Sequence, residues 1–171
     1  MAGYGLDKKY HLSSVLERNL KNKGLKVKVI NASVSGDTSA GGLNRIDWTI
    51  SEKNIDIILI GLGANDMLRG ISPDETEKNL EEIIKKILSK KIQIIIAGMI
   101  APNSHGKDYK IKFDKIFGNL SKKYELNLIP FLLDGIALNP DLNLDDGMHP
   151  NEKGVEIISK NIEKKLIKIF N

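Results

Sequence analysis

Residues 55–66 read Ile55-Asp56-Ile57-Ile58-Leu59-Ile60-Gly61-Leu62-Gly63-Ala64-Asn65-Asp66. The first seven form a β-branched apolar run closed by glycine, the pattern of a strand buried on both faces. The small and polar residues after it read as a strand exit. A second run of the same kind, Ile-Gln-Ile-Ile-Ile-Ala-Gly, occupies residues 92–98. Between the two runs, Ser72-Pro73-Asp74-Glu75 predicts the start of a helix that reaches about Lys90. Ser72 serves as N-cap, Pro73 takes the first helical position, and Glu75 completes a capping box. Strand, long helix, strand is the signature of a parallel pair joined by a crossover.

The same alternation extends in both directions. Residues 7–23 are predicted helical, with Leu12, Val15, Leu16 and Leu20 on one face and Gly24 as the stop. Residues 26–31 read as a short strand carrying Val27 and Val29, and residues 40–52 as a helix. Residues 107–124 carry the helical stripe Tyr109, Phe113, Ile116, Phe117 and Leu120. Residues 126–131 are a predicted strand, and a last helix runs from after Pro150 and Asn151 to about Phe170. No internal repeat, linker or composition break interrupts this order, so 1–171 is expected to be one domain. The fold class is α/β, a parallel sheet covered by helices on both sides. In such folds functional residues gather at the carboxyl ends of the strands.

Composition narrows the function. The 171 residues are 41% hydrophobic and 28% charged, a globular profile. The longest apolar run, residues 92–101, is interrupted by Gln93 and Gly98 and falls short of the ~18 residues a membrane span needs. No integral membrane segment is expected. The first residues lack the basic start and apolar core of a signal peptide. The expected location is cytoplasmic for the chain as written, and periplasmic or secreted if a signal lies upstream. There is no cysteine, which excludes disulfides, thiolate metal sites and a cysteine nucleophile. The net charge of +4 comes from lysines such as Lys85-Lys86, Lys90-Lys91 and Lys164-Lys165, interleaved with glutamates and without an aromatic stacking platform. These read as solvated helix faces, so no nucleic-acid partner is expected. His11 falls on a helix as a surface or boundary residue, and His105 falls in the loop 102–107, where it can line a substrate entrance. With no carboxylate pattern around them, neither a metal nor a cofactor is expected.

Three polar clusters can carry chemistry. Asn31-Ala32-Ser33-Val34-Ser35-Gly36-Asp37-Thr38-Ser39 follows a strand and exposes backbone N–H groups, with Gly36 allowing close approach; it also reads as a turn and helix cap. Gly61-Leu62-Gly63-Ala64-Asn65-Asp66 places the Asn65 amide at a strand exit. Aimed at a developing oxyanion, such a donor is worth ~3–4 kcal/mol; the alternative is an Asx turn. In Asp145-Asp146-Gly147-Met148-His149-Pro150, Asp146 and His149 stand three apart. That spacing lets the carboxylate fix the imidazole tautomer and stabilise the imidazolium; the alternative is a loop that caps the last helix.

Together and in this order, the clusters resemble the blocks of the SGNH hydrolases, also called GDSL-type esterases and lipases, in their arylesterase/thioesterase I/lysophospholipase branch. Leu68-Arg69-Gly70 with Pro73, and Pro102-Asn103 with Tyr109 and Phe113, extend the likeness over nearly the whole chain. The resemblance implies a three-layer, flavodoxin-like sheet of strand order 2-1-3-4-5. It implies Gly36 N–H and Asn65 as oxyanion donors, His149 as general base and Asp146 as its orienter. The substrate implied is a small acyl ester or thioester, handled without a cofactor, and a monomer is expected.

The family's first block, Gly-Asp-Ser-Leu at the end of the first strand, has no counterpart here. Met1-Ala2-Gly3-Tyr4-Gly5-Leu6 matches what typically follows that block, which places the nucleophilic serine about two residues before Met1. Ser13 and Ser14 fall on a predicted helix, and Ser35 and Ser39 belong to another block. The expectation is an SGNH-type domain whose central first strand and serine lie outside 1–171, leaving those residues inactive alone. The competing expectation is a catalytically dead acyl-binding module or a gene fragment.

Overall fold

The computed structural model describes residues 2–52 and 54–170. They form two compact units, one of Gly36–Leu132 and one of the flanking segments before and after it.

The unit Gly36–Leu132 holds the sheet. Its strands are β1 (Ile57–Ile60), β2 (Gln93–Ala97) and β3 (Asn127–Ile129), parallel and in that order. Ile57 stands opposite Gln93 and Ile60 opposite Ile96, while Ile95 stands opposite Asn127 and Ala97 opposite Ile129. This is the expected α/β class. Helix α4 (Pro73–Ser89) crosses from β1 to β2, and α5 (Lys107–Lys123) crosses from β2 to β3. The N-cap and the proline read from sequence are realised: Ser72 Oγ accepts from Glu75 N at 3.4 Å, with Pro73 in the first turn. Leu80, Ile83, Ile84 and Ile87 of α4 are buried, as are Phe113, Ile116, Phe117 and Leu120 of α5. Each such side chain contributes roughly 1.5–3 kcal/mol of hydrophobic stabilisation. The exits of β2 and β3 lie so close that a Cβ on Gly98 would strike the Pro130 carbonyl. Gly98 N donates to Ile129 O at 2.8 Å, and Leu132 N donates to Gly98 O at 2.9 Å.

Two features of this unit differ from the sequence reading. The run 55–61 yields a strand of only Ile57–Ile60, and Ile57, Ile58 and Leu59 are half-buried rather than buried on both faces. The cause is that β1 is an end strand, with no partner on its other edge among the described residues. The second is a five-residue helix, α3 (Ala64–Leu68), where a plain loop was expected. It follows Gly63 at φ 106, a left-handed position that favours glycine. One turn and a half is too short to register as helical periodicity.

In the other unit, α1 (Leu12–Asn22) packs on α6 (Glu152–Phe170). Val15, Leu16 and Leu20 meet a face carrying Ile158, Ile162 and Leu166, all buried. Lys23 pairs with Glu163 at 2.8 Å, and Arg18 pairs with Glu156. The predicted strand 26–31 is absent. Val27 and Val29 are half-buried and alternate with exposed Lys26, Lys28 and Ile30, so the period of two is real. A strand, however, exists through its ladder, and no described strand pairs with this segment. Glu17 Oε2 accepts the Val29 N–H at 2.7 Å in place of a neighbouring carbonyl.

Candidate active site

The histidine loop is built by its neighbours in sequence. Asn143 and Pro150 form an antiparallel bridge, and Leu144 N donates to His149 O at 2.7 Å. Buried Asn143 donates from Nδ2 to Ile136 O at 2.8 Å and Asn139 O at 2.7 Å. Asn151 Nδ2 donates to Asp141 O at 3.0 Å, while its Oδ1 accepts from Lys153 N at 3.0 Å and Gly154 N at 3.1 Å. Asn151 therefore caps α6 and holds the loop at once. The sequence placed Asn151 at the start of the last helix but without any sign that it also holds the loop, and Asn143 looked like an ordinary turn residue.

Inside this loop Asp146 accepts from Met148 N and His149 N at Oδ1, each at 2.9 Å. Its Oδ2 lies 2.7 Å from His149 Nδ1. The His149 and Met148 N–H groups, and then the imidazole, hold the Asp146 carboxyl down at about 2. An ionised carboxylate only accepts, so Nδ1 carries the hydrogen, and Nε2 of the neutral ring keeps its lone pair. That is the form a general base requires. The pair is solvent-accessible, so its value lies in orienting the ring rather than in stability. The Tyr4 ring adds a second restraint, with its centroid 4.5 Å from the imidazole centroid and the planes inclined by 33°.

The other two clusters meet within the unit Gly36–Leu132. Residues of α3 grip the segment 36–39 at successive points. Arg69, just past α3, donates from Nη2 to Gly36 O at 2.8 Å. Asn65 Nδ2 donates to Asp37 O at 2.8 Å. Asp66, fully buried, accepts Ser39 N at 2.8 Å and the Ser39 hydroxyl as well. Thr76 Oγ1 donates to the same carboxylate at 3.3 Å, and Asn79 Nδ2 donates to Ser39 Oγ at 3.1 Å. Gly36 itself has φ 76, the left-handed region. Thr38 Oγ1 caps α2 (Ser39–Thr49) by accepting Gly41 N at 3.3 Å, and Asp37 pairs with Arg45 at 2.7 Å. The sequence pointed to Gly36 and Asn65 but missed Asp66 and Arg69 as the residues that fix the loop. A short acid beside Asn65 was the available signal.

Ser39 is no nucleophile candidate, because its hydroxyl is buried and committed to Asp66. Ser14 donates to Lys8 O at 2.8 Å from α1. His105 lies in a single 3-10 turn, Asn103–His105, its ring 5.0 Å from that of Tyr109. Tyr109 donates to Ile71 O at 2.9 Å, and burial pushes its phenol up from the usual range, with the Asp66 charge adding to the effect. His11 turns inward, with Nε2 3.1 Å from Leu6 O. Among the described residues no group of three or more His, Asp or Glu side chains is placed to hold a metal ion. No described helix is long and apolar enough to cross a membrane.

Residues 1–157 match the model of the GDSL-like lipase/acylhydrolase family. The chain is 33% identical over 149 residues to esterase TesA of Pseudomonas aeruginosa, covering 87% of this chain and 74% of that protein. It is 33% identical over 167 residues to an arylesterase of Vibrio mimicus, covering 98% and 84% of the two chains. Among solved structures it resembles the psychrotrophic esterase EstA of a Pseudoalteromonas species, described as inhibited by monoethylphosphonate. The TM-score is 0.93 at 30% identity, over 99% of this chain and 93% of that one.

Proposed function

The chain belongs to the GDSL-like lipase/acylhydrolase family, and from that premise we propose that it supplies the base and the oxyanion donors of a serine hydrolase acting on small acyl esters or thioesters. A serine from a Gly-Asp-Ser-Leu block attacks the acyl carbonyl. His149 Nε2 takes its proton and returns it to the leaving oxygen or sulfur, and water then repeats the cycle on the acyl-enzyme. Asp146 holds the imidazole and stabilises the imidazolium. Gly36 N–H and Asn65 stabilise the tetrahedral oxyanion. Asn65 Nδ2 carries two hydrogens. One rests on Asp37 O, which orients the amide and leaves the second for the oxyanion. Removing a donor of this kind costs ~2.7–4 kcal/mol of transition-state stabilisation.

The observation that carries this reading is Asp146 bound to His149 Nδ1 at 2.7 Å while both nearby backbone N–H groups keep the carboxyl ionised. A loop that only capped α6 would not need it, since Asn151 does the capping. Ser39 is committed to Asp66 and Ser14 to Lys8 O, and residues 1–171 by themselves are proposed to be inactive. The test is a chain in which a family-like strand ending in Gly-Asp-Ser-Leu precedes Met1, assayed on a short-chain activated ester. Turnover that is stopped by monoethylphosphonate supports the reading, and no turnover by a folded protein opposes it.

A further inference from the structure

Tyr4 is the aromatic residue seated on His149. It is 58% exposed, so it is not there to fill a core. The backbone around it is nonetheless held in an unusual shape. Gly3 and Gly5 on either side have φ 83 and 71, and Leu6 N closes the turn on Gly3 O at 3.1 Å. The His11 ring backs this turn: its Nε2 lies 3.1 Å from Leu6 O, and a Cβ on Gly3 would run into the imidazole. On the other side, a Cβ on Gly5 would lie 2.8 Å from Leu144 Cδ1. Leu144 is the residue whose N–H is bonded to His149 O at 2.7 Å. One turn is thus fixed by His11 behind it and fitted against the histidine loop in front, and the side chain it projects is Tyr4.

Asp146 alone restrains only the Nδ1 edge of the imidazole. The ring remains free to tilt about that single hydrogen bond, and water competes for it because both side chains are accessible. A ring 4.5 Å away and 33° from coplanar blocks that tilt and covers one face from water. We infer that Tyr4 is a positioning residue for His149: its ring, set by the Gly3–Leu6 turn, keeps the imidazole in the orientation in which Nδ1–H points to Asp146 and Nε2 is free to act as base. The inference rests on His149 being the base, but its test does not pass through activity. The ring does this by contact, so the phenol hydroxyl is dispensable and phenylalanine serves as well.

The experiment is nitrogen and proton NMR of the imidazoles in chain 1–171 at a pH where His149 is neutral. Only three histidines have to be assigned. In the unaltered chain, His149 ring protons show a nuclear Overhauser contact with the Tyr4 ring, and the nitrogen shifts report a single tautomer with hydrogen on Nδ1. Tyr4→Phe keeps both. Tyr4→Ala moves the His149 ring protons downfield, as the ring current is lost, and draws the two nitrogen shifts towards each other as the tautomers mix. Gly5→Ala, which strains the turn at its left-handed φ of 71, does the same with Tyr4 still present. The His105 signals act as an internal control of folding. Absence of the Tyr4–His149 contact in the unaltered chain overturns the inference. So does Tyr4→Ala with wild-type His149 nitrogen shifts. Either result leaves the hydrolase reading standing, whereas loss of that reading leaves the tautomer measurement unaffected.

Discussion

The carboxylate of Asp66 receives both the N–H and the hydroxyl of Ser39, so one buried acid ties the start of α2 to α3. Through Ser39 it fixes the far end of the segment whose near end, Gly36, is held by Arg69. Asp66→Ala leaves the Ser39 N–H and hydroxyl unpaired in the interior, at roughly 1–3 kcal/mol for each buried group, whereas Thr76 Oγ1 keeps the Ser72 carbonyl at 3.1 Å. A loss of stability on that order is expected in urea unfolding, with Asp66→Asn between it and the unaltered chain. A change below about 0.5 kcal/mol, the range of an ordinary surface substitution, would mean that water or a shifted neighbour replaces the carboxylate.

Asp146 sets the acid limit of the histidine loop. The His149 and Met148 N–H groups, and then the imidazole, hold its folded pKa at about 2, below the usual carboxylate range. A depressed folded value stabilises the loop above the unfolded pKa, and that stability is lost as pH falls through the folded one. The Met148 and His149 amide shifts should therefore share an acid step with a midpoint near 2. A midpoint at or above 3.8 would show that the carboxylate does not hold these groups in solution.

Glu81 titrates for a different reason. The Lys123 ammonium and the Tyr124 hydroxyl both bond its carboxylate and hold it down to about 2. All three groups are accessible, so the effect is confined to α4 and the end of α5. Glu81→Gln should remove a carboxylate midpoint near 2 from the NMR titration. A titration from which no such midpoint disappears would contradict this assignment.

Asn65 is tested by truncation: in a chain carrying the Gly-Asp-Ser-Leu block, Asn65→Ala removes both the proposed oxyanion donor and the bond to Asp37 O. Turnover should fall ~10²–10³-fold, mainly in kcat, because the donor acts on the transition state. If KM alone rises, Asn65 positions substrate instead.

Much of this was legible in the sequence because it is local. The Ser72-Pro73-Asp74-Glu75 start, the apolar stripe from Phe113 to Leu120 and the three-residue spacing of Asp146 and His149 each sit within a few positions, and the structure realises them. What escaped depends on partners distant in sequence. Residues 26–31 alternate as a strand does, yet no described strand pairs with them. Ile57, Ile58 and Leu59 look like a central strand, yet stand at an edge. Asp66 read as one more polar loop residue, because its partners Ser39 and Thr76 lie 27 and 10 positions away. Tyr4 next to His149 had no local signal beyond the two glycines around it.

The most direct measurement compares three proteins on one activated short-chain ester: residues 1–171 alone, the same residues preceded by a strand ending in Gly-Asp-Ser-Leu, and the extended chain with His149→Ala. The account predicts negligible turnover by the first, robust turnover with a serine adduct in the second, and a fall of many orders of magnitude in the third without loss of fold. Robust turnover by residues 1–171 alone, or full activity in the folded His149→Ala protein, would contradict it.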